Sequence, residues 1–355
     1  MITLMIPTMD RSDFLIRLLQ YYADTDYPYS ICIGDSSDQT HLERTKEFIK
    51  SLDGKLNIRH LEYPNLSISM CLKALVDKLD TPYAAIILDD DFIITKTLEK
   101  CIDFLESNPE YSAAHGSALV FSLKNSGVYG EFLNIGRYPQ RAVEESTASE
   151  RLIGHLNNYS VTVFSVQRTE TWKKLYQNVK QLSERAFMEE LLPCCLSVVH
   201  GKIKHYDDLY LVRQHHQGRA FHSDIYDWIT NPDWNEAYKI FHDSLVEGLI
   251  QEDSITREQA QAISKRAFWS YLNGCLSDKF KQRYAVFSPK ERLKKISKCI
   301  PGAYGILKKT KQLFSSKEVS LSSLLNKKSV NYPGFLPIYK AVTAISKKCQ
   351  EARYG

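Results

Sequence analysis

The first hundred residues alternate between short apolar runs and amphipathic stretches. Residues 2–7, "ITLMIP", have the makeup of a short buried strand. In "DRSDFLIRLLQYYAD" that follows, Phe14, Leu15, Leu18, Leu19 and Tyr22 fall on one helical face, with Asp10 or Ser12 available as a cap. "YSICIGDSSDQT" predicts a second strand, Ser30 to Ile33, ending in a polar turn. Residues 41–52 read as a helix and "LNIRHLEY" as a strand. "ISMCLKALVDKL" spaces Ile68, Leu72, Leu75, Val76 and Leu79 for a helix, and "YAAIIL" is the next strand. The order β-α-β-α-β-α-β predicts an α/β fold, a mostly parallel sheet with helices on both faces. In such sheets ligands sit beyond the carboxyl ends of the strands.

The middle of the chain is less regular. "TLEKCIDFLES" predicts a helix, and "SAAHGSALVFSL" and "YSVTVFSV" predict strands. "ERAFMEELLPCCLSVVHG" predicts a helix ended or bent near Pro193, and "DDLYLVRQHHQGR" a short strand running into a loop. From Tyr226 onward the pattern is helical, with Trp228, Trp234, Tyr238, Phe241, Leu245, Phe268, Trp269 and Leu272 as apolar anchors. Two regions are expected: an α/β domain over 1–222 and a helical, basic region over 223–355.

Composition narrows the class. The 355 residues are 43% hydrophobic and 25% charged, enough for a sizeable core. No apolar run approaches a membrane span, and the N-terminus lacks the basic segment of a signal peptide. The eight cysteines are scattered without a CxxC pair, as suits a reducing cytoplasm. Charge is unevenly spread. Residues 281–355 carry 17 Lys and Arg against three acids, whereas the preceding residues carry 29 against 39. Within 281–311 the basic residues interleave with Phe287, Leu293, Ile296, Ile300, Tyr304, Ile306 and Leu307. Such a segment suits an anionic membrane surface or a solvated helix packed on the rest of the chain. Nucleic acid is not expected, because no recognition fold or stacking platform is apparent.

Candidate chemistry lies at the strand ends. "YAAIILDDDFI" places Asp89, Asp90 and Asp91 directly after an apolar strand. Three clustered carboxylates repel one another and are costly to desolvate, and a divalent cation relieves both costs. In a continuing strand Asp89 and Asp91 would point to one side. The alternative is a solvated acidic turn with one Asp capping the following helix. Asp35, in "GDSSD", ends the second strand, where its carboxylate can accept from a base or ribose or close an Asx turn. Pro7 and Thr8 end the first strand on the same edge.

The ordered set "LMIPTMDR", "ICIGDSSDQT" and "AAIILDDDFI" resembles the family 2 glycosyltransferases, which have the Rossmann-like GT-A fold and use nucleotide-diphospho-sugars. The resemblance covers about the first 220 residues by order of elements. It departs from the family at "LSISMCLKAL", where a small-residue helix is usual and Ser69 is the nearest counterpart. It implies that Asp35 contacts the donor's base or ribose and Asp89 its ribose or sugar. Asp91, with Asp90 or Asp89, would hold Mn²⁺ or Mg²⁺ on the diphosphate. It also implies an acid base in a Phe-x-Glu-Asp-like motif, which maps to "AFMEEL" with Glu190 or Glu189, and a last metal ligand in an Arg-x-His segment, which maps to His215 of "YLVRQHHQG" with His216 in reserve. Arg219 in that loop is a candidate for the diphosphate or the acceptor. The expected activity is inverting, metal-dependent transfer from a nucleotide sugar, UDP being the commonest nucleotide in the family, to a saccharide or lipid-linked saccharide. The setting would be bacterial capsule or lipopolysaccharide assembly, in the cytoplasm or peripheral on the inner face of the membrane. Two rivals remain. A nucleotidyltransferase would place a Gly-rich basic loop after the first strand, and "PTMDRSD" has no glycine and one basic residue. A non-catalytic sugar- or lipid-binding scaffold would keep the fold without turnover.

Overall fold

A computed structural model of the chain describes residues 1–177, 184–217, 224–284 and 319–354. Its first half runs β1 (Ile2–Thr8), α1 (Ser12–Asp24), β2 (Ser30–Asp35), α2 (Gln39–Ser51), β3 (Asn57–Glu62), α3 (Ile68–Val76) and β4 (Tyr83–Ile86). There follow β5 (Phe92–Ile93), α4 (Thr95–Ser107), β6 (Tyr111–Leu123), β7 (Phe132–Tyr138), α5 (Ala148–Asn157), β8 (Val166–Arg168) and α6 (Thr169–Leu175). A π-helical turn (Phe187–Leu191) leads into α7 (Leu192–Val199), then β9 (Lys202–Gln214), α8 (Ile225–Ile229), α9 (Trp234–Asp253) and α10 (Arg257–Tyr284). Two later helices are α11 (Leu321–Leu324) and α12 (Tyr332–Tyr354).

The sheet order is β3-β2-β1-β4-β8-β6-β9-β5, with β7 on the edge of β6. β3, β2, β1 and β4 are mutually parallel, and β8 enters antiparallel between β4 and β6. The chain is thus a mixed α/β protein, a central sheet flanked by helices with a helical C-terminal region. All seven residues of β1 are buried because strands cover both its edges and helices both its faces. Gly34, near the end of β2, makes this closeness possible: a Cβ there would collide with the Cys71 sulfur on α3.

The first four strands and three helices follow the predicted order. The middle differs in three places. "YSVTVFSV" is a loop except at Val166, which opens β8. β7, α5 and α6 stand where no element was expected. The strand read in "DDLYLVRQHHQGR" is the end of a 13-residue β9 that pairs parallel to β6. Helix α10 packs along α5 and α9. α12 returns to α1, where Phe335 is fully buried and Tyr339 stacks on Phe132 of β7. Among the described residues no helix is long and apolar enough to cross a membrane. Arg219 and nearly all of the basic segment 281–311 lie outside the described residues.

Candidate functional site

The acidic run does not continue as a strand. After Leu88 the chain turns, and the Asp91 N–H donates to the Leu88 carbonyl at 3.1 Å. Strand alternation therefore does not apply, and Asp89 and Asp91 do not share a side. Asp89 accepts from the Thr8 hydroxyl at 2.8 Å. Asp91 faces the other way. Its Oδ2 accepts from Arg213 Nε at 2.8 Å and its Oδ1 from the Gln214 N–H at 3.0 Å. The pair that meets at a common partner is Asp89 and Asp90: Arg11 Nη2 lies 3.1 Å from Asp89 Oδ1 and 2.8 Å from Asp90 Oδ2.

The short loop from β1 to α1 delivers that guanidinium. Asp10 takes a left-handed φ of 54° and is tied to the β2 turn by its own N–H to Ser37 Oγ and by the Asp38 N–H to its carboxylate, each 2.8 Å. The tight reversal aims Arg11 back at the acids. His216 completes the group, its Nε2 3.0 Å from Asp90 Oδ2 and 3.1 Å from Arg11 Nη2. Protonated at Nε2 the ring donates to Asp90; bare there, it accepts from Arg11. Phe14 stacks on this imidazole with centroids 4.7 Å apart. His215, one residue earlier, is exposed, because neighbouring residues at a strand end face opposite ways. The structure thus brings His216, rather than the expected His215, to the carboxylates.

Beneath them lies a third cation. Arg17 is 1% exposed and donates to the Asp90 carbonyl at 2.9 Å and to the Gln214 side chain at 2.5 Å. Burial lowers its pKa to about 10, so it is charged near neutrality. Three buried carboxylates are therefore matched by Arg11, Arg17 and Arg213. Burial raises Asp89 and Asp91 to about 7, against the attraction of Arg11 and Arg213 respectively. Asp90 goes the other way. The His216 hydrogen bond and then Arg11 overcome burial and hold it at about 2.

Above this floor is a cavity of about 360 Å³. It is lined by Pro7, Thr8, Asp89 and Asp90, by Arg11 and Arg213, and by Arg185, Glu189 and Glu190. Arg213 is held in place by Asp91, by the Tyr138 hydroxyl at 2.9 Å and by the Phe164 ring 4.3 Å below its guanidinium. Asp35 ends β2 in register with Thr8 but does not line this cavity. It is 1% exposed, with His60 at 3.0 Å and the Ser37 N–H at 3.0 Å on its two oxygens. His60 and then Ser37, against burial, lower its pKa.

The two glutamates are separated by local backbone geometry. Pro193 has no N–H, and its ring would crowd the carbonyl of Glu189 in a regular α-helix. The chain answers with a wider π turn, in which the Leu192 N–H donates to the Phe187 carbonyl. Glu189 is gripped by Arg185 through two bonds of 2.9 and 2.8 Å. Glu190 instead accepts from the Tyr159 hydroxyl at 3.0 Å.

Carboxylate oxygens and an imidazole are suitable donors for Mn²⁺ or Mg²⁺, and Asp90 Oδ1 is buried with no hydrogen-bond partner among the described residues. The side chains are nevertheless not arranged for an ion. Arg11 sits between Asp89 and Asp90, Asp91 has both oxygens engaged, and among the described residues no three His, Cys, Asp or Glu side chains group to hold a metal. Sequence reasoning missed Arg11 and Arg17, the cations that balance the acids. The one basic residue of "PTMDRSD" was the available signal for Arg11. Nothing in the pattern of α1 marked Arg17 as buried.

No family model matches the chain, and no curated protein does. Solved structures do. The crystal structure of S. aureus TarS 1-349 is 14% identical, covers 84% of this chain and 78% of its own, and has a TM-score of 0.48. The same protein in complex with UDP is 15% identical over 83% of this chain and 78% of its own, with a TM-score of 0.49. In complex with UDP-GlcNAc it is 17% identical over 96% of this chain and 81% of its own, with a TM-score of 0.47. At these identities and scores the likeness assigns no function to this chain.

Proposed function

We propose that the chain is a glycosyltransferase of the GT-A type that moves a sugar from a nucleotide-diphospho-sugar to a saccharide or lipid-linked saccharide, with inversion at the anomeric carbon. The observation that carries this reading is that one cavity is lined by guanidinium groups, strand-end polar residues and a pair of glutamates. The reaction needs both kinds of group. Negative charge develops on the departing diphosphate, and the acceptor hydroxyl must lose a proton on the far face of the sugar.

In this scheme Thr8, Asp89 and Asp90 hold the ribose and sugar hydroxyls as hydrogen-bond acceptors. Arg11 and Arg213 meet the diphosphate, where an arginine fork matches phosphate oxygens. The acceptor oxygen attacks the anomeric carbon as the bond to the diphosphate breaks, and its proton passes to a carboxylate. The base in this reading is Glu190, which the Tyr159 hydroxyl orients, while Glu189 is paired with Arg185. Asp35 is a wall behind the base or ribose, oriented by His60. A divalent ion has a seat only where Arg11 leaves the Asp89–Asp90 pair. The division into a catalytic region over 1–222 and a helical one over 223–355, work on bacterial surface polysaccharide, and a peripheral place at the inner membrane face belong to the same reading.

The test is a thermal-shift panel of nucleotide sugars, each with and without Mn²⁺, followed by donor hydrolysis. A ligand bound only by the folded chain raises its melting temperature by mass action. One donor should stand out and be hydrolysed slowly to free sugar. A panel in which no nucleotide sugar shifts the melt would sink the reading and favour a non-catalytic scaffold.

A further inference from the structure

The Arg11 guanidinium stands where the resemblance puts a divalent ion. Asp89 Oδ1, Asp90 Oδ2 and His216 Nε2 converge on its Nη2 at 3.1, 2.8 and 3.1 Å. Two carboxylate oxygens and an imidazole nitrogen are donors that Mn²⁺ or Mg²⁺ would take. Around a guanidinium nitrogen they stand too wide for either. Mg²⁺ needs its oxygens at about 2.0–2.1 Å, so the three would have to draw in by roughly 1 Å. The third acid offers no alternative, since Arg213 and the Gln214 N–H engage both oxygens of Asp91.

More than the acids holds Arg11 there. Its carbonyl accepts from the Phe14 and Leu15 N–H groups at the start of α1, at 3.0 and 3.2 Å. The Asp10 turn before it is tied to the end of β2, and the Phe14 ring lies 4.8 Å from its guanidinium carbon. Only Nη2 is spent on the acids. Nη1 makes no hydrogen bond among the described residues and, unlike Nε, is not closed off from solvent. Arg213 divides in the same way: Nε meets Asp91, Nη1 meets the Tyr138 hydroxyl, and Nη2 is left over. Both residues line the first cavity. A guanidinium has a second edge, so it can hold a carboxylate with one and fork onto phosphate oxygens with the other. A carboxylate-bound ion makes the same bridge to a diphosphate.

We infer that Arg11 is a built-in substitute for the divalent cation: it closes the Asp89–Asp90–His216 donor set to Mn²⁺ and Mg²⁺, and the chain binds a nucleoside diphosphate without either ion. The closure of the donor set stands on the geometry alone. The metal-free binding of the nucleotide rests on the transferase reading above. The account differs from what the resemblance implies in one respect, that the cation at the acids belongs to the chain and cannot be removed by a chelator.

Two titrations of the full chain test it. In the first, without nucleotide, Mn²⁺ binding is followed by the loss of the free ion's electron paramagnetic resonance signal. Arg11→Ala removes the guanidinium and leaves the three acceptors, so it should bind Mn²⁺ at least about tenfold more tightly than the wild type, and adding His216→Ala should remove that gain. Arg11→Gln, neutral and shorter, takes its place where the Ala variant does not fold. In the second, calorimetry measures UDP, GDP and CDP binding to the wild type in EDTA and again in Mn²⁺. The nucleotide that binds should do so in both, with affinities within about twofold. Equal Mn²⁺ affinity in the wild type and the Arg11 variants, a gain that survives His216→Ala, or nucleotide binding that needs Mn²⁺ overturns the inference. A wild type that binds no nucleotide with or without Mn²⁺ strikes the transferase reading instead, and the first titration still decides whether Arg11 closes the donor set.

Discussion

Asp91→Ala distinguishes a structural from a ligand-holding role for the third acid. In the fold described here Asp91 is an internal counterion. Its side chain is 0% exposed and that of Arg213 6%, with 2.8 Å between them. Removing one partner of a buried pair leaves the other charged and uncompensated, which costs about 3–5 kcal/mol. The Gln214 N–H would also lose its acceptor. Two effects reduce the total. Burial already raises Asp91 to about 7, so part of its charge is given up near neutrality, and its loss relieves repulsion with Asp90. The expected cost is about 3 kcal/mol, or roughly 4 °C in melting temperature for 355 residues unfolding together at about 2.1 cal/mol/K each. Asp89→Ala is the control. Arg11 would keep Asp90 at 2.8 Å and only the Thr8 hydroxyl would lose its partner, so about 1 kcal/mol is expected. Denaturant titrations of Asp91→Ala, Arg213→Ala and the double variant should give a coupling of at least about 1.5 kcal/mol. The reasoning is refuted if Asp91→Ala stays within about 0.5 kcal/mol of wild type, a change typical of an unremarkable surface site. It is also refuted if Mn²⁺ stabilises the wild type and Asp91→Ala merely abolishes that gain, the behaviour of a metal ligand.

Other consequences can be checked alongside. Glu190→Gln should lower transfer by about 10²–10⁴ with donor affinity unchanged, whereas Glu189→Gln should have a smaller effect on rate and loosen Arg185; single-turnover kinetics separates the two. Burial depresses His155 to about 4, below its unfolded value near 6.5, so its contribution to stability is full above that value and is lost as pH falls through the window between them. The stability difference between wild type and His155→Gln should therefore shrink by about 2 kcal/mol between about pH 7 and 5 in paired denaturant titrations; a constant difference would show that the ring is not buried neutral. Gly34→Ala should cost about 1–3 kcal/mol by driving a methyl into the Cys71 sulfur, and Cys71→Ala in the same chain should recover much of it. No recovery would mean that the strain lies elsewhere.

The parallel half of the sheet was legible because each of its elements carries its own period: buried runs for β1 and β4, a helical stripe for α1 and α3. β7 was not legible, since it is a partly exposed strand at the edge of β6, with little apolar alternation along "FLNIGRY". "YSVTVFSV" misled because its apolar residues are buried as a loop under neighbouring elements, and burial alone does not fix a strand. At the site, the strand ends could be read from sequence because topology puts them on one edge, whereas the paired glutamates were expected only from the resemblance. The partners of the acids could not. A turn of three residues decided that Asp91 faces Arg213 rather than the cavity, and the choice between His215 and His216 depended on where β9 ends. The π turn needed only Pro193, four residues after Glu189, but its effect on the two glutamates appears only in three dimensions.

The most direct test of the central claim is calorimetric titration of UDP-N-acetylglucosamine and UDP-glucose, with and without Mn²⁺, into the wild-type chain and Arg11→Ala. A guanidinium–phosphate contact contributes about 1.5–3 kcal/mol, so at least one donor should bind the wild type and lose about tenfold or more in the variant. Absence of binding by either nucleotide sugar, or binding that is indifferent to Arg11, would contradict the account.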